Sequence, residues 1–318
     1  MSFDIQILDG ILGTPRFDTF RFRDNNPIAD RTKWRLLSKP NPPMREIHRR
    51  FRSIITYDFS VVSEEYTSAY YCAVKHAENR FFYQTDLKHA YQSVRAEPMV
   101  AALRRYHADW NAADLDRFLR IYCFAQTGGL IVGAPASPDL FRIYAEEYLD
   151  NPLMKIWLWE RFERGVYEAK QYTRYCDDLT FSSSKPIPAS LRRRLRTTIE
   201  AAGFTVNDRK TVVADLKRDN RVVICGIGLA WRPRHPARVF LPRHYLKKIR
   251  GALHLAFTGK AHIGRERLEG MWNTFSNIMW HNERPKTEDG LLRLNATETK
   301  LWKLYHEYSA RHPRKLAR

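Results

Sequence analysis

Alternating runs of apolar and polar residues divide this chain into a few strand-like segments set among longer stretches with helical spacing. Thr19–Arg23 (TFRFR) and Thr32–Leu37 (TKWRLL) alternate in the manner of half-buried strands, with a break at Asn25-Asn26-Pro27. Tyr83–Asp86 and Tyr172–Phe181 (YTRYCDDLTF) are rich in Tyr, Thr, Leu and Phe, and the second reads as a short hairpin with its acids at the turn. Helical spacing predicts helices over Met44–Ile55, Glu97–His107, Ala112–Phe124, Asp139–Leu149, Ser190–Ala202, Tyr245–Phe257, Arg265–Trp280 and Glu298–Arg311. Phe204–Val213 predicts a short loop and strand, and Arg221–Leu229 one further apolar strand. Ser137-Pro138 supplies a favoured cap and first-turn residue for the helix that follows.

Strands interspersed with helices over 318 residues, with no repeat or linker, predict an α+β architecture of two or three structural units. No apolar run approaches the roughly 20 residues of a membrane span, and the first residues lack the basic start and cleavage site of a signal peptide. The expectation is a cytoplasmic protein with no membrane partner. Cys72, Cys123, Cys176 and Cys225 form no CxxC pair, so neither a zinc ribbon nor a disulfide scaffold is indicated, and all four read as small core residues.

Charge changes the picture. The chain carries 54 Lys and Arg against 35 Asp and Glu, net +19, together with 8 Trp, 16 Tyr and 17 Phe. A field of that sign attracts polyanions, and aromatics among basic residues suit nucleic acid. Within this positive background, Asp177 and Asp178 stand out. Alone, two adjacent acids in a turn are ordinarily just solvated. Asp86, at the end of a second strand-like run, changes that: Asp86 and Asp177 on adjacent strands can clamp hard cations such as Mg2+, which prefer carboxylate and phosphate oxygens. Neighbouring strand residues point to opposite faces, so one of the adjacent acids would take the larger share of a cation. Lys33 and Arg35, on one face of the N-terminal hairpin, can hold a triphosphate or, equally, protect an exposed edge strand. In Gly128–Pro138 (GGLIVGAPASP), the glycines, Gly133 among them, leave the backbone open to close approach by a nucleotide or template base, although such loops are more often plain turns.

The order of these motifs resembles the reverse transcriptases, and among them the bacterial retron type. The YCDD of Tyr175–Asp178 is similar to the family's YxDD box, and Asp86–Tyr91 (DLKHAY) to its first aspartate motif. Gly133–Pro138 is similar to the QGxPxSP loop, Gly203–Thr211 to the lysine-bearing loop, and Lys33-Trp34-Arg35 to the fingers motif for incoming phosphates. Cys72–His76 resembles the retron NAxxH box with Cys72 in place of asparagine. Ile224-Cys225-Gly226 falls where retrons carry VTG, and Leu130-Ile131-Val132 stands where Leu-Pro-Gln is usual.

The resemblance implies a right-hand polymerase: fingers over residues 1–85, a palm with an antiparallel sheet over 86–231, and a basic helical thumb over 232–318. It implies RNA-directed DNA synthesis by two-metal nucleotidyl transfer, with Mg2+ (or Mn2+) held by Asp86, the Leu87 carbonyl, Asp177 and Asp178. Lys33 and Arg35 would grip the β- and γ-phosphates, and Tyr91 would crowd the sugar 2′ position so that deoxynucleotides are favoured. Lys210 would protonate the leaving pyrophosphate, a task for which the neighbouring Arg209 is unsuited because a guanidinium hardly releases its proton. His76 is assigned to RNA or structural contacts. The implied partners are dNTPs, a structured noncoding RNA that is template and primer source, its complementary DNA (msDNA), and a toxic effector protein in antiphage defence. Untemplated or protein-primed synthesis, and a non-catalytic RNA-binding scaffold, are the competing readings.

Overall fold

The computed structural model describes residues 7–24, 33–55, 68–163, 169–258, 265–281 and 296–311, with the backbone alone at 22–24, 33, 35, 158–163 and 281. The break at Asn25–Pro27 and the side chains of Lys33 and Arg35 therefore lie outside the described residues. The chain opens with an antiparallel pair, β1 (Phe17–Asp24) and β2 (Lys33–Pro40), in a register that sets Phe22 opposite Arg35 and Asp24 opposite Lys33. Pro42 and Pro43 then cannot continue a strand ladder but suit the first turn of α1 (Pro42–Ile54). Asn41 caps that helix, its Oδ1 accepting from Met44 N and Arg16 N, both at 3.1 Å.

The centre of the molecule is a five-stranded antiparallel sheet. Its middle strand, β3 (Phe81–Lys88), pairs along one edge with β5 (Asp178–Ser183), which pairs in turn with β4 (Lys170–Tyr175). Along its other edge β3 is shared, its first half with β7 (Val212–Asp215) and its end with β6 (Thr205–Val206). Successive β3 residues serve opposite faces: Phe82 belongs to one apolar core, Tyr83 and Leu87 to the other.

The larger core lies between the sheet and helices α3 (Ala96–Arg104), α4 (Ala112–Tyr122), α5 (Ser137–Ala145), α6 (Asn151–Glu163) and α7 (Ala189–Ala201). Phe181 is fully buried there, stacked on Tyr172 at 4.7 Å and Tyr83 at 6.0 Å and met edge-on by Trp157 at 5.2 Å. Each such buried side chain contributes ~1.5–3 kcal/mol. On the opposite face, α2 (Ala69–Lys75) closes over the polar side of β4 and β5. His76 ends this helix, fully buried, with Nδ1 2.6 Å from Ser182 Oγ and Nε2 2.8 Å from Thr173 Oγ1. Burial holds its imidazole neutral, with a pKa lowered to about 3. Of its two expected uses, the structure shows the structural one.

The second core joins α2 to a three-stranded sheet and the C-terminal helices α9 (Arg243–Phe257), α10 (Arg265–His281) and α11 (Ala296–Arg311), with α8 (Leu216–Asp219) as the short connection after β7. The expected single strand over Arg221–Leu229 is two: β8 (Arg221–Ile224) folds back on β9 (Ile227–Ala230), which also pairs with β10 (Arg238–Phe240). The fold-back is possible because Cys225 and Gly226 both take positive φ, 49° and 84°. Gly228 is needed for a different reason: a Cβ there would sit 2.3 Å from the Phe240 ring.

Two further expectations change. Cys72 and Cys123 are buried, but Cys225 is half-buried and Cys176 is exposed at the hairpin turn, so only the first two are core residues. The helix expected over Asp139–Leu149 ends its α-helical part at Ala145 and passes through a π-helical turn, Glu146–Asp150, before α6. That wider turn re-phases the helix and directs Asp150 into the core. Among the described residues no helix is long and apolar enough to cross a membrane.

Candidate active site

The Asp-Asp pair sits where β4 turns into β5. Tyr175 and Asp178 are cross-strand partners, so the turn consists of Cys176 and Asp177 alone. Cys176 takes φ 52°, at the position where a two-residue type II′ turn ordinarily carries glycine. A non-glycine residue there costs ~1 kcal/mol or more, and surrounding bonds hold it: Asp177 O accepts from Leu87 N at 2.9 Å, and Cys176 O accepts from Arg174 Nη1 at 3.3 Å.

The β3–β5 register places Asp178, rather than Asp177, directly opposite Asp86. Directly opposed residues share a face, so these two carboxylates open on the same side of the sheet, with Asp177 at the tip beside them. Asp86 is nearly buried, 5% exposed. Burial and the charges of Asp177 and Asp86 together push the Asp178 carboxyl up to about 6.

The opposite wall of the cleft comes from the segment after α7. Asn207 fixes Asp86 twice: its N–H donates to Asp86 O at 2.8 Å and its Nδ2 to Asp86 Oδ1 at 2.7 Å. A 3₁₀ turn, Asp208–Lys210, then carries Lys210 back so that Nζ lies 2.7 Å from Asp86 Oδ2. Burial works against the lysine's charge, but the hydrogen bond and charge of Asp86, with Asp178 and Asp177 beyond, hold its pKa above the ordinary lysine value. Asp86, Asp178, Lys210, Gln84, Val212 and Cys225 are among the residues lining a cleft of about 270 Å³.

Three carboxylates against one ammonium leave this cleft with an excess of negative charge and of hard oxygen donors, a set that suits Mg2+ or Mn2+. Among the described residues no three acidic, His or Cys side chains are already spaced as a ligand shell. Asp86 is instead turned toward Lys210 and Asn207. The residues fit a divalent ion in chemistry, with the Lys210 contact as the one that must yield.

Of the other expected site residues, Tyr91 lies near enough to the acids to feel the charge of Asp177. Tyr91 follows β3 in a 3₁₀ turn, half-buried, its ring stacked on Phe141 at 5.0 Å and 21°. Burial, then the charges of Cys176 and Asp177, raise its hydroxyl pKa to about 12, so it stays neutral. Its carbonyl accepts from Leu130 N at 2.8 Å, which ties the Gly128–Pro138 loop to the site.

Gly133 takes φ 101°, and a Cβ there would fall 2.4 Å from Ser38 O. The close approach foreseen for a nucleotide is taken by the backbone of β2, whose Ser38 N donates to Val132 O at 3.0 Å. The backbone positions of Lys33 and Arg35 lie two residues apart on that strand. Arg209 is exposed and Lys210, not Arg209, reaches Asp86.

Sequence reasoning missed Asn207, Arg174 and Asp150. Asn207 lies within the lysine-bearing stretch, three residues before Lys210, and that spacing was its only signal. Arg174 alternates with Tyr175 on β4, so its inward direction follows once the strand is placed; Asp150 has no signal, because a π-helical turn is not marked by periodicity.

Comparison with known proteins finds relatives among the reverse transcriptases. Retron Mx162 reverse transcriptase of Myxococcus xanthus is 37% identical over 109 residues, which is 31% of this chain and 22% of the relative. Retron Ec86 reverse transcriptase of Escherichia coli is 26% identical over 204 residues, 64% of this chain and 58% of the relative. The chain thus spans less than two thirds of either relative's length. Among solved structures, telomerase from Candida albicans in complex with a fragment of telomeric RNA aligns with a TM-score of 0.48 at 10% identity, covering 98% of this chain and 56% of that one. The family model described as "Reverse transcriptase (RNA-dependent DNA polymerase)" matches residues 23–232, more than half of the sequence and every element around the cleft, and the chain belongs to that family.

Proposed function

We propose that this protein is an RNA-directed DNA polymerase of retron type, copying a structured noncoding RNA that also supplies the primer, in antiphage defence with a toxic effector as partner. The observation that carries the catalytic part is the opposed pair Asp86 and Asp178, with Asp177 at the adjoining turn and Lys210 across the cleft. The likeness to retron reverse transcriptases supports the retron type, and the RNA, the effector and the defence role are what that type implies. In this reading residues 1–85 are fingers, 86–231 palm and 232–318 thumb.

Asp86, the Leu87 carbonyl, Asp177 and Asp178 would hold Mg2+. When bound, it supplies the charge that makes the primer hydroxyl acidic and the triphosphate approachable. The chain's own residues do the rest. Asn207 keeps Asp86 aimed into the cleft. Lys210, released from Asp86, carries a proton to the leaving pyrophosphate; a primary ammonium can do this and a guanidinium cannot. Lys33 and Arg35 hold the outer phosphates, and Tyr91, kept neutral and braced by Phe141, occupies the space a 2′-hydroxyl would need. On α9, Arg243, Lys247, Lys248 and Arg250 are exposed together, which suits the phosphates of an A-form duplex.

The test is to recover the protein with its native locus, treat the bound nucleic acid separately with RNase and DNase, and sequence it beside an Asp177→Asn, Asp178→Asn control. The expected result is a defined RNA carrying complementary DNA that is absent from the control. DNA that matches no RNA would replace this reading with untemplated synthesis, and RNA without DNA in both samples would replace it with a scaffold.

A further inference from the structure

Behind the catalytic turn lies a buried ion pair. Arg174 and Asp150 are 4% and 0% exposed in their side chains. Arg174 Nη2 donates to Asp150 Oδ2 at 2.7 Å, and Nε reaches both carboxylate oxygens at 2.9 and 3.0 Å. Tyr172 donates its hydroxyl to Asp150 Oδ1 at 2.6 Å. Two further contacts leave this cluster toward the site. Nη1 donates to Cys176 O at 3.3 Å, in the strained turn that carries Asp177. The guanidinium carbon also lies over the Phe141 ring, 5.4 Å from its centroid, and Tyr91 stacks on that same ring.

Burying a charged pair gains little stability, because the desolvation of both ions offsets most of their attraction; packed apolar side chains do as well or better. What such a pair does provide is direction. A guanidinium locked by a bidentate carboxylate has one orientation, so its remaining N–H and its flat face are fixed in space as well. Asp150 can serve as the anchor because the π-helical turn points it inward, at the junction of α5 and α6.

We propose that Arg174, anchored by Asp150, is a positioning residue that couples the catalytic turn to Tyr91, setting through one guanidinium both the height of Asp177 and the pose of the tyrosine beside the incoming sugar. This rests on the polymerase reading of the site. It predicts that rate and sugar selectivity change together when the pair is replaced, although Cys176 and Tyr91 lie far apart in the chain.

The experiment replaces the whole cluster with apolar groups of similar size, Asp150→Leu with Tyr172→Phe and Arg174→Met, so that no buried polar partner is left unpaired. Thermal unfolding is measured together with steady-state incorporation of dNTP and rNTP on a primed RNA template. A folded triple variant is expected to melt at or above the wild-type temperature and to lose about 10²-fold in kcat, as misplacements on the ångström scale do. KM for the dNTP should be little changed, and the preference for dNTP over rNTP should fall. A folded triple variant with wild-type kcat and wild-type sugar preference overturns the proposal. If the triple variant does not fold, Arg174→Lys decides, since it keeps the charge beside Asp150 but loses the fork to Cys176 O and the flat face on Phe141. Reduced kcat with reduced sugar preference supports the coupling, and wild-type values of both overturn it. Wild-type extension in parallel separates the two readings: its absence counts against both, whereas its presence with an unaltered triple variant sinks only the positioning role.

Discussion

The most direct consequence of the cleft's electrostatics is that one of its acids destabilises the fold. Asp178 is held at about 6 against an ordinary value of 3.8, first by burial and then by Asp177 and Asp86. Two pKa units correspond to about 3 kcal/mol of disfavoured ionisation at neutral pH. Partial solvent exposure reduces this to roughly 1–2 kcal/mol. Because the folded pKa is raised, the folded acid keeps its proton in a range where the unfolded one has lost it. Stability is therefore lost as pH rises from about 4 to about 6, and the loss is complete above about pH 7.

Asp178→Asn removes the charge at nearly constant shape. In EDTA, the variant is expected to match the wild type near pH 4 and to melt a few degrees higher at pH 7.5, as roughly 1–2 kcal/mol gives in a chain of this size. Primer extension should be abolished. His48 and His76 complicate the raw profiles, because burial lowers their pKa values to about 4 and about 3. Both stay neutral in the fold while the unfolded imidazoles gain protons below about 6.5, so their contribution rises with pH through the same window. Both proteins contain them, so the difference between the two melting profiles isolates Asp178. A difference that is flat between pH 4 and pH 7.5, or an asparagine variant that melts lower at pH 7.5, would refute the claim that these acids strain one another.

Three other expectations follow from single contacts. Lys210→Arg keeps a cation beside Asp86 but cannot release a proton, so single-turnover incorporation should fall by roughly 10²-fold; a wild-type rate would show that Lys210 serves only as a counter-ion. Gly133→Ala places a Cβ 2.4 Å from Ser38 O in a backbone with φ 101°, and should cost about 1–3 kcal/mol, read as a lower Tm and faster proteolysis of β1 and β2; an unchanged Tm would contradict the close packing of loop on strand. His76→Ala leaves Ser182 and Thr173 without their imidazole partner and opens a cavity beneath the catalytic hairpin, at a cost of about 2–4 kcal/mol by denaturant unfolding. A loss of RNA binding in His76→Ala without loss of stability would point to the contact role instead.

Much of this protein could be read from its residues in order. Asp86, Asp177 and Asp178 stand in or beside strand-like segments, which their β-favouring neighbours are enough to mark. The amphipathic helices were legible within a few residues at each end, because an apolar stripe at helical spacing specifies both the helix and its buried face. Caps were less legible: Asn41 and Asn111 cap α1 and α4, whereas Ser137, expected as a cap, is the first residue of α5 and donates its hydroxyl to Ile131 O. The family likeness rested on short motifs whose order is itself a property of the sequence.

What chain order leaves open is which distant residues meet. Register made Asp178 the cross-strand partner of Asp86, because the turn used Cys176 and Asp177, and a shift of one residue would have reversed every face. The approach of β2 to Gly133, the double hold of Asn207 on Asp86, and the meeting of Arg174 with Asp150 across the sheet and a π-helical turn depend on packing between segments far apart in sequence. Local propensity and periodicity act over a turn or a strand length. Contacts across a core are settled only when all the buried faces are satisfied at once, and so the residues that carry the chemistry were legible in the sequence while those that aim them were not.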